Sequence, residues 1–327
     1  MNELYPLKFK PVFKDKIWGG QKMKQFKGMD FSPLPNCGEA WVLSGVKGNE
    51  SIIENGFLAG NNLNEVMEVY MYDLVGDKHY ETYGNEFPIL VKLIDANDWL
   101  SIQVHPDDKL AARRKIGRGK TEMWYILGSD KNAEIITGFN KKVDKSTYKQ
   151  HLDNKSLKNI LNFEKAERGD VFFMPAGRVH ALGPGIFLAE IQQTSDTTYR
   201  IYDWNRVDDQ GKSREIHTEL ALDAIDFNVY NDYKSNPDIK QDQTANLVNC
   251  PYFTTNLIKL SGHSLEKEIS ELDSFIIYLC VKGKVELLYT GGNEYLEAGE
   301  VALIPAIMEN LILNPEGDSE ILEVYIV

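Results

Sequence analysis

The sequence predicts a mainly β protein of two β-rich parts, with helices inserted between strands. Short apolar runs of strand length recur along the chain, and turn signals such as Gly291-Gly292-Asn293 and Ala298-Gly299-Glu300 separate them. Only a few segments carry apolar residues at helical spacing. Many short strands at such intervals point to barrels or sandwiches.

The elements follow in order. Leu63, Met67, Tyr70 and Leu74 share one helical face behind the capping residues Asn61 and Asn62, which predicts a helical insert over about 60–75. Strands are expected at 87–94 and 99–105. Asp107 caps a short helix that ends near Gly117, so a second insert spans about 107–117. A strand at 123–127 precedes one or two helices within about 145–162, followed by strands at 171–174 and 186–193. The last insert lies at about 217–227. Residues 231–243 are polar and contain proline, the composition of a linker. We therefore expect one unit over 1–240 and a second over 241–327, the latter with strands at 275–281, 284–289, 301–304 and 321–327. The two β-rich halves echo each other loosely, without a short-period repeat.

Composition narrows the function. A chain of 327 residues, 43% of them hydrophobic, can build two cores. A net charge of -13 argues against a nucleic-acid partner, whose footprint is a basic patch. An anionic substrate then requires a local cluster of Lys and Arg. Cys37, Cys250 and Cys280 form no C-x-x-C pair and fit free thiols in a reducing compartment. The start, Met-Asn-Glu-Leu-Tyr-Pro-Leu-Lys, carries an early Glu and no apolar core, so no signal peptide is expected. No apolar run approaches the ~20 residues of a membrane span. The expectation is a soluble cytoplasmic protein, monomer or homodimer, without a membrane partner.

The segment Trp99-Leu100-Ser101-Ile102-Gln103-Val104-His105 concentrates the chemistry. Side chains alternate along a strand, so Leu100, Ile102 and Val104 are expected on one face and Ser101, Gln103 and His105 on the other. Three polar groups on a buried face need a metal or polar ligand to satisfy them; the alternative is an exposed sheet face. Lys120 and Glu122 share a face of the next strand with Trp124 and Ile126. A third piece, Gly169-Asp170 through Pro175-Ala176-Gly177 to His180, brings an imidazole after a turn. Alone, each of these residues reads as an ordinary polar group. Together, a Gln oxygen, two imidazole nitrogens and a carboxylate make a mixed N/O set for a borderline divalent ion. No cysteine joins it, which excludes a thiolate-type structural zinc site. Zinc leads; manganese, iron, cobalt or nickel would also suit such ligands.

These residues resemble the two cupin motifs of type I phosphomannose isomerases: Gln103-Val104-His105 with Glu122, and Pro175-Ala176-Gly177-Arg178-Val179-His180. Flanking segments extend the likeness over about residues 10–210: Ile17-Trp18-Gly19-Gly20, Gly38-Glu39-Ala40-Trp41, the run from Phe87 to Ile94, and Ser195-Asp196-Thr197-Thr198-Tyr199-Arg200. The resemblance implies two cupin (jelly-roll) β-barrel domains with helical inserts, the second lacking a metal site. It implies one Zn2+ held by Gln103, His105, Glu122 and His180. It places Arg200 at the reacting carbons and Lys92, Ser101 and Lys120 near the phosphate and sugar. Asp196 matches an acidic position discussed as a proton-transfer group, and Lys120 and a metal-bound water are the other candidate bases. Arg178 receives no role. The implied reaction interconverts mannose 6-phosphate and fructose 6-phosphate through an enediol(ate). The large helical insertion of longer members is missing.

Other readings stay open here: a metal cupin acting on another substrate, such as a phosphoglucose isomerase or an oxygenase, or a non-catalytic sugar-sensing cupin. Trp18 and Trp41 read as core anchors or as pocket wall. Glu39 reads as a supporting residue, because a buried Glu needs a partner. Lys92 interrupts an apolar run and faces either an edge or a polar cavity. His79, His151 and His217 show no partner at ligand spacing, and His263 is the only histidine after residue 217. The second β unit therefore cannot repeat a histidine-based metal site.

Overall fold

The structure, a computed structural model, describes residues 3–27, 29–207 and 210–327. Its strands form four antiparallel sheets stacked as layers. The outermost, five-stranded sheet runs in the order Tyr199–Tyr202, Ile102–Val104, His180–Leu182, Glu134–Phe139, Leu161–Lys165. Facing it is a six-stranded sheet ordered Val171–Met174, Glu122–Ser129, Ile186–Gln193, Ile89–Ala96, Glu39–Leu43, Val12–Lys14. A seven-stranded sheet and then a four-stranded one complete the stack.

Apolar alternation explains the stacking. The strands Ile89–Ala96 and Ile186–Gln193 are buried along their whole length, because both faces of the six-stranded sheet are covered. Val91, Leu93, Ala189 and Ile191 pack outward against Leu257, Ile277, Leu279 and Leu322 of the seven-stranded sheet. Residues at the alternate positions, among them Ile94 and Leu188, face the five-stranded sheet and meet Ile135 and Leu182. Behind the seven-stranded sheet, Ile258, Tyr278 and Ala302 pack on Val285, Leu287 and Leu313 of the four-stranded one. The outer face of the five-stranded sheet is closed by helices Asp108–Arg114, Lys145–Asp153 and Thr218–Leu222. Their Leu110, Tyr148 and Ala221 cover Ile102, Val104 and Ile136. Each large aliphatic buried this way contributes roughly 1.5–3 kcal/mol.

The mainly β class with inserted helices holds, and the differences lie at element ends and in two short helices that local pattern does not reveal. Asn62 caps Leu63–Val75 in a capping box with Glu65, but Met71 has non-helical φ/ψ inside that helix. After Gly76 a second helix, Asp77–Tyr83, follows that local pattern did not reveal. Its first N–H groups are capped by Asp273, far along the chain, with Asp77 N at 2.8 Å. Lys22–Lys27 was also missed. The insert begun by Asp107 ends at Lys115, whose φ of 56° allows the turn, before Gly117 is reached. The 145–162 insert divides into Lys145–Asp153 and a short 3-10 turn, Leu157–Ile160, and residue 161 already opens a strand. In the 217–227 insert only Thr218–Leu222 is helical.

Two long-range contacts matter for organisation. Leu7–Lys10 lies within the seven-stranded sheet, with Leu7 opposite Leu303. The polar segment after residue 230 is strapped to the first unit. Ser235 exchanges backbone hydrogen bonds with Val171, while Lys234 and Asn236 bond the buried Asp170. Leu7 is fully buried. Leu7→Ala is expected to cost ~2–5 kcal/mol in urea unfolding; a loss below about 0.5 kcal/mol would show that this strand adds nothing to the sheet.

Candidate metal centre and substrate cavity

Two rows of side chains, one from each facing sheet, define the site. Across the five-stranded sheet, Arg200 pairs with Gln103, Gln103 with His180, and His180 with Thr137. Across the six-stranded sheet, Trp41 pairs with Lys92, Lys92 with Glu190, and Glu190 with Trp124. Between them lies a cavity of about 300 Å³ lined by Lys92, Ser101, Gln103, Lys120, His180, Asp196 and Arg200, with Lys16, Trp18, Glu190, Arg214 and His217 among its other walls. His105 and Glu122 sit beneath this lining and are buried.

The exposed-face alternative for 99–105 fails, since Ser101 and His105 are buried. One part of the alternation needs correction. Only Ile102–Val104 is laddered, so Leu100 does not join Ile102 and Val104 on the outer face; it lines the cavity beside Ser101.

The hydrogen bonds fix the imidazoles. His105 Nδ1 donates to the Thr197 carbonyl at 2.9 Å, and His180 Nδ1 donates to the Arg178 carbonyl at 2.8 Å. Because a carbonyl only accepts, both rings carry their proton on Nδ1 and present an Nε2 lone pair inward. Glu122 Oε2 lies 3.5 Å from His105 Nε2, and Oε1 lies 3.3 Å from His180 Nε2. Acceptors therefore face acceptors. Neither Glu122 oxygen receives a well-formed hydrogen bond, and Lys120 meets Oε2 as an ion pair at 3.1 Å. Among the described residues, His105, Glu122 and His180 are the one His/Cys/Asp/Glu group close enough to hold a metal, with ligand atoms within 4.8 Å. Gln103 adjoins them, its Nε2 3.2 Å from His180 Nε2. Turning that amide over places its oxygen inward, where it can accept or ligate. The set fits a divalent ion, with orienting carbonyls behind both rings.

Electrostatics follow from burial. Burial, then the nearby Lys120, drives the His105 imidazolium well below the usual range, and burial pushes His180 down to about 4. Burial and then the neighbouring Glu190 raise Glu122. Glu190 is buried too, yet Lys92, at 3.0 Å, and then Lys120 overcome that penalty and hold it ionised. Lys92 in turn is kept charged by Glu190 and Glu39 against its own burial.

Arg200 stands at the mouth. Its Nη1 donates to the Glu215 carbonyl at 3.0 Å, while its buried Nε has no partner. Asp196 is exposed on the rim. Glu39 accepts from Trp41 Nε1 at 2.7 Å and pairs with Lys16, which gives the half-buried carboxylate its partners. Trp18 is pocket wall, whereas Trp41 lies between Lys14 and Lys92, each 5.2 Å from its ring.

Sequence reasoning missed Glu190, Lys16, Arg214 and His217. Glu190 carried the same signal as Lys92, a lone charge in an apolar strand. His217, expected to lack a partner, accepts from Arg200 N at 3.0 Å through Nδ1, a contact no spacing announces.

The family model for the phosphomannose isomerase type I catalytic domain matches residues 6–159, and that for the mannose-6-phosphate isomerase cupin domain matches 242–326. Mannose-6-phosphate isomerase ManA of Bacillus subtilis is 35% identical over 306 residues, covering 92% of this chain and 93% of its own. The chain belongs to the type I phosphomannose isomerase family. The crystal structure of the mannose 6-phosphate isomerase from Bacillus subtilis aligns with a TM-score of 0.86 at 32% identity, covering 98% of this chain and 99% of that one. A mannose 6-phosphate isomerase described as bound with zinc and yttrium shares the fold, with a TM-score of 0.75 at 16% identity over 98% of this chain and 99% of that one.

For a phosphomannose isomerase family member, the Lys92–Glu190 pair sets the charge of the cavity wall. Glu190→Ala strands a buried ammonium and is expected to cost ~3–5 kcal/mol in urea unfolding. An unchanged midpoint would mean that Glu39 alone suffices for Lys92.

Proposed function

We propose that this chain is a zinc-dependent aldose–ketose isomerase that interconverts mannose 6-phosphate and fructose 6-phosphate through an enediol(ate). The observation that carries the reading is the inward-facing set of His105 Nε2, His180 Nε2 and an undonated Glu122 carboxylate, buried beside a cavity rich in cations. The names of the relatives and the zinc in a structural neighbour support it.

Gln103, His105, Glu122 and His180 would hold the zinc. When bound, the ion supplies Lewis acidity toward sugar oxygens. The protein does the rest. The isomerisation moves a proton between C1 and C2, so a base must come within about 3 Å of a weakly acidic C–H. Asp196 on the rim and Lys120 on the cavity floor are the two protein groups proposed for that transfer; Lys120, an ammonium in its pair with Glu122, must first give up a proton to act as the base. Arg200, with its unpartnered Nε, provides fixed positive charge where negative charge develops. Lys92, Ser101 and Lys120 bind and orient the sugar phosphate, which lowers the entropic part of the barrier. In a protein of net charge -13, the cavity gathers Lys16, Lys92, Lys120, Arg200 and Arg214, the local cluster that an anionic substrate needs.

We assign the chemistry to residues 1–240 and a supporting role to 241–327. Cys37, Cys250 and Cys280 form no disulfide, which agrees with a cytoplasmic setting. No helix among the described residues is long and apolar enough to cross a membrane.

A coupled assay with mannose 6-phosphate and with glucose 6-phosphate, run beside elemental analysis, tests the reading. The expected result is one zinc per chain and preferred turnover of the mannose substrate; preference for glucose 6-phosphate, or oxygen uptake with iron, would overturn it. His105→Ala should lose zinc and turnover together, and full activity in the metal-free variant would refute the metal's role. Arg200→Ala should keep the zinc and lose about 10²–10³ in kcat. A raised KM with kcat intact would make Arg200 a binding residue instead.

A further inference from the structure

The turn over residues 175–178 touches, from behind, all three segments that carry the proposed metal ligands. Gly177 N donates to the His105 carbonyl at 2.9 Å, and Ala176 N donates to Thr121 Oγ1, beside Glu122, at 3.2 Å. The Arg178 carbonyl takes the His180 Nδ1 proton at 2.8 Å. The backbone of this turn therefore sets the position of one imidazole and both the orientation and tautomer of the other.

That turn is held from its outer side. Asp226 N donates to the Gly177 carbonyl at 2.8 Å, and a Cβ on Gly177, whose φ is 93°, would meet the Ala224 carbonyl oxygen at 2.9 Å. The Arg178 side chain leaves the turn away from the cavity. Its Nη1 donates to the Phe173 carbonyl at 2.8 Å, and its guanidinium lies 4.7 Å from the Tyr230 ring and 5.2 Å from the Tyr233 ring. Both rings are anchored. Tyr233 Oη donates to the Phe139 carbonyl at 2.9 Å, and Tyr230 Oη donates to Asp226 at 2.6 Å. A planar guanidinium can stack on rings and donate in its own plane at once, which an ammonium cannot match.

We propose that Arg178 is a positioning residue for the metal centre. The clasp formed by Tyr230, Tyr233 and the Phe173 carbonyl fixes its guanidinium, and through it the turn whose carbonyl and N–H groups present His180 and His105 to the ion. The inference rests on the metal reading above and extends it to residues that touch neither metal nor substrate. It also gives the 224–233 segment a task beyond connecting the two units.

The test measures zinc affinity of the metal-free protein by chelator competition, together with the visible spectrum of the cobalt-substituted form. Arg178→Ala is expected to weaken zinc by about tenfold or more, the range typical of groups that orient a ligand from behind, and to shift the cobalt bands. Arg178→Lys should recover only part of the affinity. A merely structural role would lower the thermal midpoint of the metal-free protein and leave both readouts alone, so a folded Arg178→Ala variant that binds zinc within twofold of the parent, with the parent's cobalt spectrum, overturns the proposal. Should that variant not fold, Tyr230→Ala, at a partly exposed ring, takes its place: weakened zinc binding supports the clasp and parental affinity overturns it. A parent chain that takes up no zinc at all defeats the metal reading itself, and this inference with it.

Discussion

Two imidazole lone pairs and a carboxylate confront one another in a space from which water is largely excluded. Such acceptors repel unless a donor or a positive charge is set among them, and Lys120 supplies one here, 3.1 Å from Glu122 Oε2 and 3.3 Å from His105 Nε2. The two sheets that face each other across the site can be understood as the means of holding that arrangement. Antiparallel register puts Gln103 opposite His180, and the facing sheet brings Glu122 to them. Backbone carbonyls of Thr197 and Arg178 turn both rings the same way.

The same constraint governs the cavity wall. Lys92 and Glu190 are neighbours across strands, both almost wholly buried. Each would be intolerable without the other. Their pairing lets an apolar strand carry charge toward the substrate without losing its place in the sheet. Asp203 acts similarly at the mouth, where it binds both Arg206 and Arg214 and so allows guanidinium groups to crowd near Arg200.

Much of this was legible in residue order. The candidate metal-binding residues stood out because His105, Glu122 and His180 are metal-binding residue types at strand ends, and because they follow one another, with Gln103, in a fixed order. Lys92 was visible as a charge inside an apolar run. What stayed hidden depends on contacts between distant parts of the chain. The cap of the helix Asp77–Tyr83 is Asp273, so no local signal marks its start. Leu100 faces the cavity because its stretch lies outside the regular ladder, held to the Leu182 carbonyl through Leu100 N, and alternation fails where the ladder has not begun. His217 reaches Arg200 across a loop whose length gives no hint of closure. The pairing of Leu7–Lys10 with Val301–Ile304 is similarly invisible until coordinates show it.

That last pairing bears on how the chain is made. The strand Leu7–Lys10 must wait for Val301–Ile304 to leave the ribosome before that hydrogen-bonding edge is filled. Contacts of such wide sequence separation fold slowly, and an open strand edge in the interim invites association with other nascent chains. Lys8 and Lys10 place cations along that edge. Charges of this kind discourage edge-to-edge joining while the proper neighbour is still being synthesised.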